Sequence, residues 1–308
     1  MKLGKAILLI TLSLFAFVGN TFALPNVFFT QWNGKEYNQN AQLQEGWADR
    51  FFFKHFTFKG DELVLDIGSG DGKISARIAD ALPKGKVIGI DNSQSMLDTA
   101  YTYSTKRKNL NFLYQDAQDA SFYQKYPESF DLVVSFTVLH WVKDNQAVLE
   151  GIHKVLKPEG KFYLRLCSKG GDPIQDIADK LKDNPKYKEY FTLFNDPMRR
   201  FDEHEYRQLM NHVNLNVTSV KEIEEQDKII GRPKLVKQIK SWLPHYHYLR
   251  QYPDNVADKY LDEVITTYLK KYPPAQDGTI VLYDHYLEVV GSKPETLGAK
   301  HHKAETLV

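Results

Sequence analysis

The sequence predicts an α/β fold: a doubly wound, mostly parallel sheet of seven strands carrying a helical cap. Three observations support it. The segment from Glu62 to Lys73, Glu-Leu-Val-Leu-Asp-Ile-Gly-Ser-Gly-Asp-Gly-Lys, reads as a buried strand running into a glycine loop. From there strand-like and helix-like segments alternate, as parallel strands joined by right-handed helical crossovers do. Beyond Ser168 the texture changes. Gly170-Gly171 and Pro173 mark a break, and polar, Lys-rich and Tyr-rich helical stretches follow with little strand signal until Leu215, the pattern of an inserted cap.

The elements follow in order. Leu63, Val64, Leu65 and Ile67 have the length and branching of a strand buried on both faces. Gly68, Gly70 and Gly72 then remove side chains where a ligand can approach the backbone. Ile74 to Leu82 carries helical apolar spacing, Lys86 to Ile90 reads as a second strand, and Ser93 to Lys106 as a helix capped by Ser93 or Asn92. Leu110 to Tyr114 and Phe130 to Phe136 are the third and fourth strands. Gln146 to Leu156 is a helix stopped before Pro158, and Lys161 to Leu166 a fifth strand. After the cap, Leu215 to Ile230 supplies a further strand, Pro233 to Leu243 and Asn255 to Tyr272 read as helices, and Thr279 to Gly291 is a last strand entered through Asp277-Gly278. The domain on this reading spans 30–293, with the cap inserted near 169–214 and a disordered tail over 294–308.

A chain of 308 residues can bury a full core and fits one enlarged domain or a domain with a cap. Forty basic residues against 39 acidic ones give a formal net charge of +1, without the electrostatic footprint of a nucleic-acid binder, so a small-molecule partner is expected and no nucleic acid. Cys167 is the only cysteine, which excludes an internal disulfide and a thiolate metal cluster, and its apolar surroundings read as those of a buried, inert thiol. At the N-terminus, Lys2 and Lys5, an apolar stretch from Ala6 to Val18 and then Thr21-Phe22-Ala23 have the order of a secretory signal peptide over 1–23. The apolar character resumes from Leu24 to Phe29, so an uncleaved membrane anchor is the other reading. The chain is then exported or membrane-anchored, touching a membrane only through this segment, and cytoplasmic if the segment is not a working signal.

Ligands of a doubly wound sheet bind outside the carboxyl ends of its strands. Asp66 and the loop Gly68-Ser69-Gly70 end strand one, Asp91 with Asn92 beside it strand two, Asp116 with Ala117 strand three, and Ser135 with Phe136 strand four. The spacing Gly-x-Gly-x-Gly departs from the Gly-x-Gly-x-x-Gly of a dinucleotide site and favours S-adenosyl-L-methionine over NAD. The acids agree, because a sulfonium and an ammonium attract carboxylates that would repel a pyrophosphate. Asp91 can accept hydrogen bonds from both ribose hydroxyls, Asp116 with the backbone of Ala117 can meet the amino edge of adenine, and Met96 can pack on the ring. Taken singly, Asp91 and Asp116 can equally be helix caps.

With these residues the chain resembles the class I S-adenosylmethionine-dependent methyltransferases over most of Trp32 to Lys293. Within them it is similar to the branch containing trans-aconitate methyltransferase and juvenile hormone acid methyltransferase, which esterify carboxylic acids. Trp32-Asn33 followed by Tyr37 resembles the opening of the former, with Gly34 where a proline is usual. Ser135-Phe136-Thr137-Val138-Leu139-His140-Trp141-Val142 resembles the segment after strand four in the latter, and Ser241-Trp242-Leu243 with Asp277-Gly278-Thr279-Ile280 is similar to the family's closing helix and final strand. The resemblance implies methyl transfer to a small carboxylic acid. Such a transfer is an in-line displacement with a neutral leaving group and needs no metal and no protein nucleophile, while alignment alone can be worth on the order of 7 to 11 kcal/mol of barrier. His140 is the candidate base if the acceptor needs one, and otherwise shapes the acceptor pocket or hydrogen-bonds a substrate oxygen; Trp141 is a pocket wall. Tyr37 and Gln44, with Trp32 alongside, fall on an N-terminal helix that can close over the cofactor or simply pack. The alternative function is an exported binding protein that kept the fold and lost catalysis.

Overall fold

The computed structural model describes residues 42–295, with side chains from Glu45 onward. The expected signal segment over 1–23, the Trp32 to Tyr37 motif, the side chain of Gln44 and the tail beyond 295 lie outside the described residues.

One sheet organises the chain. Its strands are β1 (Leu63–Ile67), β2 (Lys86–Asp91), β3 (Leu110–Tyr114), β4 (Phe130–Phe136), β5 (Leu156–Cys167), β6 (Asn216–Ile230) and β7 (Thr279–Ser292), in the order β3-β2-β1-β4-β5-β7-β6. β1 pairs in parallel with β2 and β4, β2 with β3, and β4 with β5; β7 runs antiparallel between β5 and β6. The seven-stranded, mostly parallel sheet expected from the alternation is therefore present. The order turns outward in both directions from β1 and β4, which opens a crevice past their carboxyl ends.

Helices cover both faces. α1 (Gln42–Ala48) runs into a π-turn at Asp49–Phe53, followed by α2 (Lys73–Asp80), α3 (Gln94–Ser104), the single turn α4 (Ala120–Tyr123) and α5 (Asn145–Val155). Ser93 caps α3, its hydroxyl accepting the Met96 N–H at 3.4 Å. α6 (Pro173–Lys182) and α7 (Glu203–His212) stand between β5 and β6, and α8 (Arg232–Lys240), α9 (Pro244–Leu249) and α10 (Val256–Lys271) between β6 and β7. One core, from Leu65 to Val289, lies on one side of the sheet and a second, built on Phe52, Val64, Leu97 and Phe136, on the other. A third core belongs to the helical cap, where Ile174, Tyr187, Leu235, Leu249, Tyr260 and Ile265 pack together.

The cap differs from its expected extent near 169–214. Tyr206 and Met210 of α7 are fully buried in the sheet core, so that helix is a crossover against the sheet, while α8, α9 and α10 complete the cap from the other side of β6. Amphipathic spacing buries one face of a helix without saying against which layer. A ribbon carries the cap: β5 and β7 pair only as far as Cys167↔Tyr286, whereas β6 and β7 continue to Ile230↔Thr279, and Ile229, Ile280 and Leu282 join the cap core. No helix among the described residues is long and apolar enough to cross a membrane.

Candidate active site

The loop after β1 is held by β2. The Gly68 and Ser69 N–H groups both donate to the Ile90 carbonyl, at 2.8 and 2.9 Å, and the Gly70 N–H donates to Asp91 Oδ2 at 2.9 Å. The loop glycines do different jobs. A Cβ on Gly68 would lie 2.3 Å from Val138 Cγ2 and one on Gly72 2.7 Å from the Phe112 ring, so both allow close packing. A Cβ on Gly70 would meet nothing within 4 Å, because that residue, at φ +54°, faces the open crevice.

Of the residues expected to serve the cofactor, Gly68, Gly70, Asp91, Asn92, Met96, Asp116 and Ala117 line this crevice together, with Gln115, Phe136, Thr137, Val138 and Trp141. Asp66, Ser69, Gly72 and Ser135 stand behind the lining. Asp91 Oδ1 accepts the Ser93 N–H at 2.8 Å; burial raises this carboxyl's pKa and its backbone donors oppose the rise. Asp66 is buried and accepts the Ser75 hydroxyl at 2.5 Å, and its pKa is raised to about 7, chiefly by burial, against the Ser75 bond and with a smaller push from Asp91. The buried Ser69 hydroxyl has no partner among the described residues. Ser135 is committed elsewhere, donating to the Ile67 carbonyl at 2.8 Å and tying β4 to β1. Asp116 is exposed, its Oδ1 accepting the Gln118 N–H at 2.8 Å.

A second cavity meets the crevice at Thr137 and Trp141, which line both. Its walls come from the turn Leu139–Trp141, the end of β5, the β6–β7 ribbon, α1 through Trp47, and the cap through Gln238 and Trp242. His140 lines this cavity rather than the crevice. The Cys167 N–H donates to His140 Nδ1 at 3.2 Å, which places the proton of the neutral ring on Nε2. Burial, helped by the charge of Arg200, pushes the His140 pKa down to about 3. The ring's free nitrogen is thus a donor and its other nitrogen is occupied by the Cys167 N–H, an arrangement suited to the hydrogen-bonding role of His140. Thr137, at φ +58°, is held by its N–H bond to the Arg165 carbonyl at 2.7 Å.

Sequence reasoning missed three charged residues of this cavity: Arg200, Asp172 and Asp284. The Arg199 N–H donates to the His140 carbonyl at 2.7 Å, which holds the segment carrying Arg200 against the His140 turn. Arg200 forms no ion pair within 4.0 Å among the described residues, and its guanidinium bonds only to Met198 Sδ at 3.5 Å. Beside the cavity, Arg165 is fully buried, donating to Glu288 at 2.5 Å and Glu225 at 3.2 Å, with the Tyr286 ring 4.0 Å from its guanidinium carbon. Trp47 completes the group by donating to Asp227 at 3.1 Å.

Comparison with known proteins agrees with the fold and the crevice. A family described as a methyltransferase domain matches residues 58–239. Demethylmenaquinone methyltransferase of Lactobacillus johnsonii is 31% identical over 60% of this chain and 74% of its own length. Juvenile hormone acid O-methyltransferase of Drosophila melanogaster is 27% identical over 67% of this chain and 70% of its own. Against protein 235L of Invertebrate iridescent virus 6, described as a methyltransferase, identity is 29% over 57% of this chain, and the match spans 63% of the viral protein. The YcgJ protein of Bacillus subtilis superposes with a TM-score of 0.54 at 18% identity, covering 81% of this chain and 99% of that one, which shows a shared fold. With a family match over more than half its length and the sheet order to go with it, the chain belongs to the class I S-adenosylmethionine-dependent methyltransferases.

Proposed function

We propose that this enzyme O-methylates a small carboxylic acid, with S-adenosylmethionine in the glycine-loop crevice and the acid in the adjoining cavity. The observation that carries the acceptor class is the pairing of His140 with Arg200. One is fixed as a neutral N–H donor and the other is a cation without an ion pair among the described residues, and both line the cavity that meets the crevice at Thr137 and Trp141. An anionic oxygen is what such a pair binds. A carboxylate is already deprotonated at neutral pH and needs no base, in keeping with a histidine whose pKa burial lowers and whose Nδ1 already accepts the Cys167 N–H.

The residues present fit the cofactor. Gly70 leaves the backbone open, the Ser69 hydroxyl has no partner among the described residues, and the Asp91 carboxylate lies against the loop, accepting the Gly70 N–H at 2.9 Å. Asp91 would hold the ribose, Asp116 and Ala117 the adenine edge, and Met96 the ring face. When bound, the cofactor supplies an electrophilic methyl group on a sulfonium. The chain's own part is to orient the acid through Arg200 and His140 and to exclude water with Trp141 and Trp242. Two of the relatives' names point the same way: juvenile hormone acid O-methyltransferase and malonyl-[acyl-carrier protein] O-methyltransferase.

Product mass spectrometry after incubation with the cofactor and a panel of carboxylic acids, phenols and amines tests the reading. Methyl esters are expected. Turnover confined to phenols or amines refutes the acid assignment, and absence of S-adenosylhomocysteine binding by calorimetry refutes the crevice assignment. We also propose that residues 1–23 direct export or anchoring. N-terminal sequencing of the mature protein from the exported or membrane fraction checks this, and a cytosolic protein beginning at Met1 refutes it.

A further inference from the structure

The acceptor cavity has a second charged pole, opposite in sign to Arg200. Leu282, Asp284 and Tyr286 alternate along β7 and all line the cavity, so an acid occupies the middle of an inward stripe whose other members are apolar. No described residue donates a hydrogen bond to the Asp284 side chain, and it forms no ion pair among them. Asp172, at the N-cap of α6, lines the same cavity; its Oδ1 accepts the Ile174 and Gln175 N–H groups, at 2.8 and 3.2 Å, and no hydrogen bond to Oδ2 is made by a described residue. Two carboxyls thus share a cavity that holds one arginine.

We propose that the acceptor is dipolar: a carboxylic acid that also bears a cationic nitrogen, its carboxylate on Arg200 and His140 and its ammonium on Asp284 and Asp172. This rests on the carboxylate-methylating reading above and specifies its substrate class. Once the acid of the substrate neutralises Arg200, the two aspartates remain without a counter-charge on the cavity wall. An ammonium, with three donors, supplies both the charge and the hydrogen bonds they lack. An alkyl tail in the same place would strip water from Asp284 and give nothing in return. Burial followed by the Asp172 charge raises the Asp284 pKa well above its ordinary value, and burial raises that of Asp172 to about 6 against the pull of Arg200. Burial is the chief cause of both shifts, and a cation beside the pair offsets that desolvation by favouring the ionised carboxylates.

The test compares ε-aminocaproate, caproate and N-acetyl-ε-aminocaproate as acceptors for the full chain. kcat/KM for ε-aminocaproate is expected to exceed that for caproate by roughly tenfold to a hundredfold, the range for a hydrogen bond to a charged group. Acetylation, which removes the charge, brings the value back toward that of caproate. In Asp284→Asn the ratio of the two kcat/KM values falls toward one. Equal or better use of caproate by the unsubstituted enzyme overturns the proposal, as does a ratio that survives Asp284→Asn. If that variant does not fold, the acetylated acceptor decides. If no acid is methylated, calorimetry on the complex with S-adenosylhomocysteine separates the two readings. Tighter binding of ε-aminocaproate than caproate keeps the dipolar site and removes the transfer reaction, whereas equal binding, or none by either, overturns the site.

Discussion

Two alanine substitutions in one loop separate cofactor binding from folding. Gly70 and Gly72 both have positive φ, +54° and +83°, so alanine at either pays a backbone cost of about 1–2 kcal/mol. They differ in what the new Cβ meets. At Gly72 it lies 2.7 Å from Phe112 and 2.8 Å from the Ala100 methyl, both buried, so an overpacking cost of about 1–3 kcal/mol adds to the backbone term. Gly72→Ala is therefore expected to lose about 2–5 kcal/mol. At Gly70 the Cβ meets no protein atom within 4 Å and projects into the crevice. Gly70→Ala is expected to lose only the backbone term of about 1–2 kcal/mol in stability, yet to weaken S-adenosylhomocysteine binding by on the order of tenfold or more, equivalent to about 1.4 kcal/mol. Urea denaturation of the ligand-free proteins and titration calorimetry measure the two quantities. Unchanged ligand affinity in Gly70→Ala would refute the assignment of the crevice, and a Gly72→Ala protein as stable as the parent would refute the packing argument.

Asp66, raised to about 7 from an ordinary 3.8, keeps its proton in the folded chain where the unfolded chain has lost it, so its contribution to stability is full below pH 3.8 and declines as pH rises toward 7. Asp66→Asn removes that decline: the ligand-free protein should gain about 2–4 kcal/mol in urea melts above pH 7 while its affinity for S-adenosylhomocysteine falls, and a loss of stability there refutes the reading. His140 behaves in the opposite sense. Its neutral folded ring lacks the proton that the unfolded ring takes up, so its contribution is present above pH 6.5 and declines as pH falls toward 3; His140→Gln should flatten acid denaturation in that window, and the parent's kcat/KM should show no inflection near 6.5 that the variant lacks. Arg200→Gln should raise the KM for an acid acceptor by roughly tenfold or more and leave S-adenosylhomocysteine affinity within about twofold; equal losses of both would place Arg200 at the crevice instead. Arg165→Met leaves Glu288 without its ion partner and Glu225 with Arg50 alone, and should cost about 3–5 kcal/mol, read by denaturation; a neutral result would show that Glu288 takes up a proton at little cost.

The sheet was legible because its central strands, β1, β2 and β4, are largely buried on both faces. Short stretches dominated by apolar residues place β1, β3 and β4 at their observed limits, and β2 runs only one residue further, to Asp91. β5 begins earlier than Lys161, at Leu156, because α5 passes straight into an extended segment that bridges Phe130 before the bulge. The loop and strand-end acids of the crevice were legible for a related reason: the ends of parallel strands fall on one edge of the sheet, so sequence position gives spatial position. The second cavity has no such rule. Its histidine takes its tautomer from a backbone N–H 27 residues away, and Arg200 is delivered by a hydrogen bond from its neighbour Arg199. Asp284 left the one available trace, an acid between Leu282 and Tyr286 at the same parity, visible only once those two are known to face the cavity.

The two cavities are drawn from different stretches of chain. The crevice takes all its lining from 68–142, while the other takes most of its lining from residues after 166, and only Thr137 and Trp141 serve both. On the proposed assignment, variation in the later stretch, including insertions between the ribbon strands, can reshape what is accepted without disturbing what is donated. Thr137 and Trp141 are the positions where that independence ends, since any change there is felt by both partners of the exchange.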